Sequence, residues 1–145
     1  MIIHAVIDTN VLISALISKK KDSATVLLLE KLFDGVLTPV YNHEILKEYM
    51  EVMNRAKFHL DQNDIVQLLN TIIESGVQSE RIKTDLFFPD KKDIVFYEVA
   101  LSVNGTYLIT GNTKHFPTSP SRHKADGEQI FMEIPGGASR NLCSR

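Results

Sequence analysis

IIHAVIDTNVLISAL, residues 2–16, is the stretch that decides the fold. Its first six residues, IIHAVI, are rich in β-branched side chains and apolar on both faces apart from His4, the pattern of a strand covered on both sides of a sheet. The run halts at Asp8, passes Thr9 and Asn10, and resumes with Val11, Leu12, Ala15 and Leu16 at helical spacing, with Thr9 or Asn10 as the expected N-cap. A strand that turns straight into a helix opens an α/β unit, and this one delivers a carboxylate to the strand's carboxyl end. Left without a partner there, a carboxylate costs on the order of several kcal/mol in desolvation, so Asp8 requires a hydrogen-bond donor or a cation.

The alternation continues outward from this unit. A helix is expected from about Ser23 to Phe33, capped by Asp22 or Ser23 and closed by Gly35, with a strand at Val36–Val40 after it. Asn42 then caps NHEILKEYMEVMNR, whose Ile45, Leu46, Tyr49, Val52 and Met53 form an apolar stripe. DQNDIVQLLNTIIESG has its cap at Asp61, its stripe at Ile65, Leu68, Leu69 and Ile72, and its stop at Gly76. Residues 77–88 read as a short edge strand or a loop before Pro89. Asp90 or Asp93 begins the next helix, DIVFYEVALSV, and TYLITG at 106–111 is a buried strand. A polar loop follows, and QIFMEIP at 129–135 is a last strand candidate. Strands alternating with helices and joined by right-handed crossovers predict a three-layer α/β fold: a twisted parallel sheet of four to five strands with helices on both faces, Rossmann-like in architecture.

With 145 residues, 43% of them hydrophobic, the chain suits one domain, expected over residues 1–135 with a polar tail at 136–145. Sixteen basic against 18 acidic residues give a formal charge of −2, which excludes a global positive field and makes any nucleic-acid contact local. The single cysteine, Cys143, excludes an intramolecular disulfide and a cysteine-rich metal site. No apolar stretch approaches the ~20 residues of a bilayer span, so a cytoplasmic protein with no membrane partner is expected.

Sites in open parallel sheets lie just beyond the carboxyl ends of the strands. Asp8 follows the first strand, Glu44 and Asp93 stand in the first turns of helices, and Asn112 follows TYLITG, so all four can face one rim. Glu44 and Asp93 also suit those positions simply as complements to the helix dipole. Three carboxylates on one rim repel one another unless a cation lies among them. Oxygen donors without His or Cys at ligand spacing point to Mg²⁺ or Mn²⁺ rather than zinc. Of the local basic clusters, Lys91, Lys92, Lys114 and His115 flank this rim and are the candidate phosphate contacts.

Four segments carry a further signal in their order and spacing: IDTNVLISAL (7–16), PVYNHEILKEYMEV (39–52), PDKKDIVFYEVAL (89–101) and YLITGNTKHFP (107–117). In these the chain resembles the PIN domain family, especially toxins of bacterial toxin-antitoxin pairs. The resemblance implies the same PIN-like sheet and a metal-dependent ribonuclease that hydrolyses RNA phosphodiester bonds with Mg²⁺ or Mn²⁺. It implies Asp8 as the central ligand, Glu44 as the second acid and Asp93 as the third, with Asp90 an outer neighbour. Thr9 and Asn10 would fix the Asp8 carboxylate by hydrogen bonds, and Thr110 would position the substrate phosphate or a water. Asn112 stands where many relatives carry a fourth acid; its amide oxygen can ligate metal but brings no charge, so one tightly held ion is expected. Relatives are commonly homodimers, and such toxins are held inactive by a small antitoxin. Two other readings compete: a catalytically weak module that binds nucleic acid or protein, and an aspartyl-phosphate phosphatase with Asp8 as nucleophile. The latter usually needs a second Asp two residues on, where this chain has Asn10.

Overall fold

The computed structural model describes residues 2–103, 105–111 and, as backbone only, 130–133. Five parallel strands form one sheet: β1 (Ile3–Ile7), β2 (Leu37–Tyr41), β3 (Val77–Gln78), β4 (Tyr107–Thr110) and β5 (Ile130–Glu133), in the order β3-β2-β1-β4-β5. The helices between them are α1 (Thr9–Ile17), α2 (Ala24–Phe33), α3 (His43–Met53), α4 (Gln62–Ser75) and α5 (Asp93–Ala100). This is the α/β parallel sheet expected from the alternation. No described helix is long and apolar enough to cross a membrane.

The chain places β1 at the centre because its inner residues have no polar face to offer. Ala5, Val6 and Ile7 are essentially inaccessible, and β1 pairs with β2 through Ile3 to Leu37 and with β4 through Ile7 to Ile109. From β1 the chain first builds β2 and β3 to one side, then β4 and β5 to the other. The crevice where this direction reverses opens between the carboxyl ends of β1 and β4, the place where sheets of this kind bind ligands.

Helix ends follow local chemistry. Ser23 caps α2 by accepting from Val26 N–H, Asn42 caps α3 by accepting from Ile45 N–H, and Asp61 caps α4 by accepting from Asn63 N–H. The apolar stripe of α4 is buried as its spacing predicts, at Ile65, Leu68, Leu69 and Ile72. Gly76 ends α4 through close approach rather than an unusual dihedral: a Cβ there would collide with the Ile72 carbonyl oxygen and lie 2.7 Å from that of Pro39.

Three local expectations are corrected. Helix α1 begins at Thr9, so Asp8 itself occupies the N-cap position, and its side chain makes no capping bond. Strand β2 runs one residue later than its pattern suggests. Helix α5 starts at Asp93 and stops at Ala100, short of Val103, as the chain turns toward Gly105, whose positive φ of 75° suits glycine. The ambiguous stretch after Gly76 is a two-residue edge strand followed by irregular chain.

Candidate active site

The crevice beside β1 is a cavity of about 200 Å³ with three sources of side chains. Asp8, Thr9 and Asn10 come from the β1–α1 junction, Glu48 and Val52 from α3 with Arg55 just beyond it, and Asp90, Lys92 and Asp93 from the entry to α5. Asp8 and Asp93 are only 7% and 9% exposed, so each carboxylate is largely desolvated.

Local hydrogen bonds orient the acids. Thr110, at the end of β4, donates from Oγ1 to Asp8 Oδ2 at 2.8 Å, and the Asp8 N–H donates to the Ile109 carbonyl at 2.9 Å. The acid is therefore tied to both central strands. Thr9 Oγ1 donates to Glu48 Oε2 at 2.6 Å, which links α1 to α3 across the cavity. One residue along α3, the buried Tyr49 hydroxyl donates to the Ile7 carbonyl at 2.5 Å. Burial, reinforced by the charges of Asp8 and Glu48, pushes the Tyr49 phenol well above its usual range, so it stays a neutral donor.

Of the three acids expected on one rim, Asp8 and Asp93 share the cavity, joined by Asp90; Glu44 does not line it. The Glu44 carboxylate accepts from Arg81 Nη1 through both oxygens, each at 3.0 Å, and faces a neighbouring cavity. Glu48, one turn further along α3, stands where Glu44 was expected. Glu48 flanks the apolar stripe, three residues after Ile45 and four before Val52, but Glu44 lies on the same side of the helix, so periodicity alone does not choose between them. Thr9 approaches Glu48 rather than Asp8, while Thr110 serves Asp8. Asn10 and Lys92 line the cavity; Lys91 is exposed outside it. Asn112, Lys114 and His115 lie outside the described residues.

Among the described residues no three His, Cys, Asp or Glu side chains converge into a ready-made metal cage. The donors around the cavity are nonetheless carboxylate, hydroxyl and amide oxygens. That set suits a hard ion such as Mg²⁺, which keeps several waters and takes one or two carboxylates together with phosphate oxygens, rather than a closed protein shell.

Residues 4–114 match the sequence profile of the PIN domain family. The chain belongs to the PIN domain family. The matched span carries β1 from its second residue through β4, and every side chain of the cavity just described. No individual curated protein and no solved structure matches the chain. PIN domains are generally nucleases that use divalent metals, and the acid crevice lies where a sheet of this topology places its site.

Proposed function

We propose that this PIN domain is a metal-dependent ribonuclease whose site is the crevice at the carboxyl ends of β1 and β4. The observation that carries the reading is the gathering of Asp8, Glu48, Asp90 and Asp93 around one cavity, two of them nearly inaccessible. Asp8, Glu48 and Asp93 are the residues that would hold Mg²⁺ or Mn²⁺, with Asp90 beside them. When bound, the ion supplies Lewis acidity, which offsets charge on the phosphoryl group and raises the acidity of the attacking water.

The protein's own contribution is position and charge. Thr110 and the Ile109 carbonyl hold Asp8 in place, and Thr9 holds Glu48, so both acids are oriented before substrate arrives. Lys92 and Arg55 line the same cavity and can donate to the phosphate flanking the acids. The motif resemblance extends the reading to a toxin that acts as a homodimer and is restrained by a small antitoxin; an inhibitory neighbour encoded beside it that co-purifies with the chain is the expected sign.

The test is cleavage of single-stranded RNA in Mn²⁺ or Mg²⁺, against EDTA and against Asp8→Asn. Loss of even an outer partner of a metal ligand costs about 10–100-fold, so the Asn variant should be slower by on the order of 100-fold or more. Equal cleavage by the two proteins, or cleavage indifferent to EDTA, overturns the proposal.

A further inference from the structure

A second cavity, of about 290 Å³, adjoins the acid crevice and shares Glu48, Val52, Arg55 and Lys92 with it. Glu44, Lys47 and Glu51, all on the exposed side of α3, complete its wall. By residue count its charges balance, but the way they are paired does not leave them balanced.

Each carboxylate is spoken for. Glu44 is clasped by Arg81, which enters from the irregular chain after β3 and is not itself part of the wall. Arg81 in turn is held in place by buried Glu98 on α5, through Nε at 2.8 Å and Nη2 at 2.7 Å. Partial burial works against the guanidinium's charge, but its hydrogen bonds to Glu44 and Glu98 outweigh this and raise its pKa, so it remains a cation. Glu48 is turned toward the acid crevice by Thr9. Glu51 meets Arg55 only at 3.9 Å, with both side chains solvated, a pair that yields readily to a better anion. Lys47 and Lys92, by contrast, have no ion-pair partner among the described residues. The available charge in this cavity is therefore positive, next to a crevice whose available charge is negative.

We propose that this second cavity is a backbone-phosphate subsite. It seats the phosphate next to the scissile one of a single nucleic-acid strand, with Lys47, Arg55 and Lys92 as donors. Arg81 acts as a positioning residue that keeps the subsite receptive by holding the charge of Glu44. This rests on the nuclease reading of the neighbouring crevice. A strand carries one phosphate per nucleotide, so a site that handles one phosphate through a cation needs a cationic neighbour for the next. Arg55 and Lys92, common to both walls, stand at the passage between them.

The experiment uses the full chain and a fluorescein-labelled single-stranded RNA. Binding is followed by anisotropy in EDTA across a KCl series, and cleavage kinetics are followed in Mn²⁺. Lys47→Gln, which touches only the second cavity, should weaken binding about three- to tenfold and flatten the salt dependence by about 0.7 in log–log slope for the one phosphate no longer neutralised. In kinetics KM should rise with kcat retained. Arg81→Gln should raise KM as well, and adding Glu44→Gln should restore it, a rescue that a merely structural role for Arg81 does not produce. Because Arg81→Gln strands buried Glu98, the same comparison is made in an Arg81→Gln/Glu98→Gln background. An unchanged salt slope in the Lys47→Gln variant, or a KM rise that Glu44→Gln does not relieve, overturns the subsite. If wild type cleaves nothing in Mn²⁺ while the slope still falls as expected, the subsite stands and the nuclease reading fails.

Discussion

Replacing Glu98 by Gln tests the electrostatic brace that joins α3, α5 and the chain after β3. Glu98 is 4% exposed and accepts from Arg81 on one oxygen and from the Thr84 N–H, at 2.8 Å, on the other. Its backbone carbonyl also accepts from the Ile82 N–H at 3.0 Å. A Gln of the same shape keeps one acceptor, but its NH₂ must face either the guanidinium or the Thr84 N–H, donor against donor. Breaking a buried ion pair costs about 3–5 kcal/mol. Arg81 is about one-third exposed and keeps Glu44, so solvent screening brings the expected loss to about 2–3 kcal/mol. For a chain of this size the fall in Tm is then about 5–10 °C.

Urea and thermal unfolding followed by far-ultraviolet circular dichroism measure this directly. Arg81→Met leaves Glu98 buried with only the Thr84 N–H and should cost about 3–5 kcal/mol. Because the two side chains act on each other, the double variant should be less destabilised than the sum of the singles by about 1 kcal/mol or more. A Glu98→Gln protein within about 0.5 kcal/mol of wild type, or additive single and double variants, refutes the brace.

Two further outcomes concern the crevice and the end of α4. Thr9→Val removes the donor that orients Glu48, and the Mn²⁺ affinity measured by calorimetry should fall about 10–100-fold with little change in fold; unchanged affinity would detach Glu48 from the site. Gly76→Ala drives a methyl group into the Ile72 and Pro39 carbonyls and should destabilise by about 1–3 kcal/mol in denaturant; a neutral result would mean that the α4–β2 packing relaxes more easily than its distances suggest.

The strongest local patterns are legible in the chain itself. Ala5, Val6 and Ile7 of IIHAVI are buried in the central strand because they are apolar on both faces, and α4's stripe is buried because its period matches one face of a helix. Asp8 is legible as a candidate for the crevice because a carboxylate at the end of such a strand is costly without a partner. The family, too, is written in the four segments and their spacing. Glu44 shows where this kind of reading stops. Glu44 and Glu48 share a face of α3, and helical periodicity treats them alike, although four residues displace them by about 6 Å along the axis. Which of them meets the crevice depends on how α3 crosses the sheet, and Tyr49 bonding to Ile7 sets that crossing so that Glu48 arrives beside Thr9.

Arg81 is not legible at all, since SERIKT has no period to read and its partners lie 37 and 17 residues away. By itself, then, the sequence determined the sheet, the family and the placing of Asp8 at the strand end, because these depend on side-chain chemistry repeated along short stretches of chain. Only the tertiary structure decided which α3 acid lines the crevice and how the charges around it are paired. Those depend on the crossing of helices and on contacts between residues far apart in the chain, which no local pattern encodes.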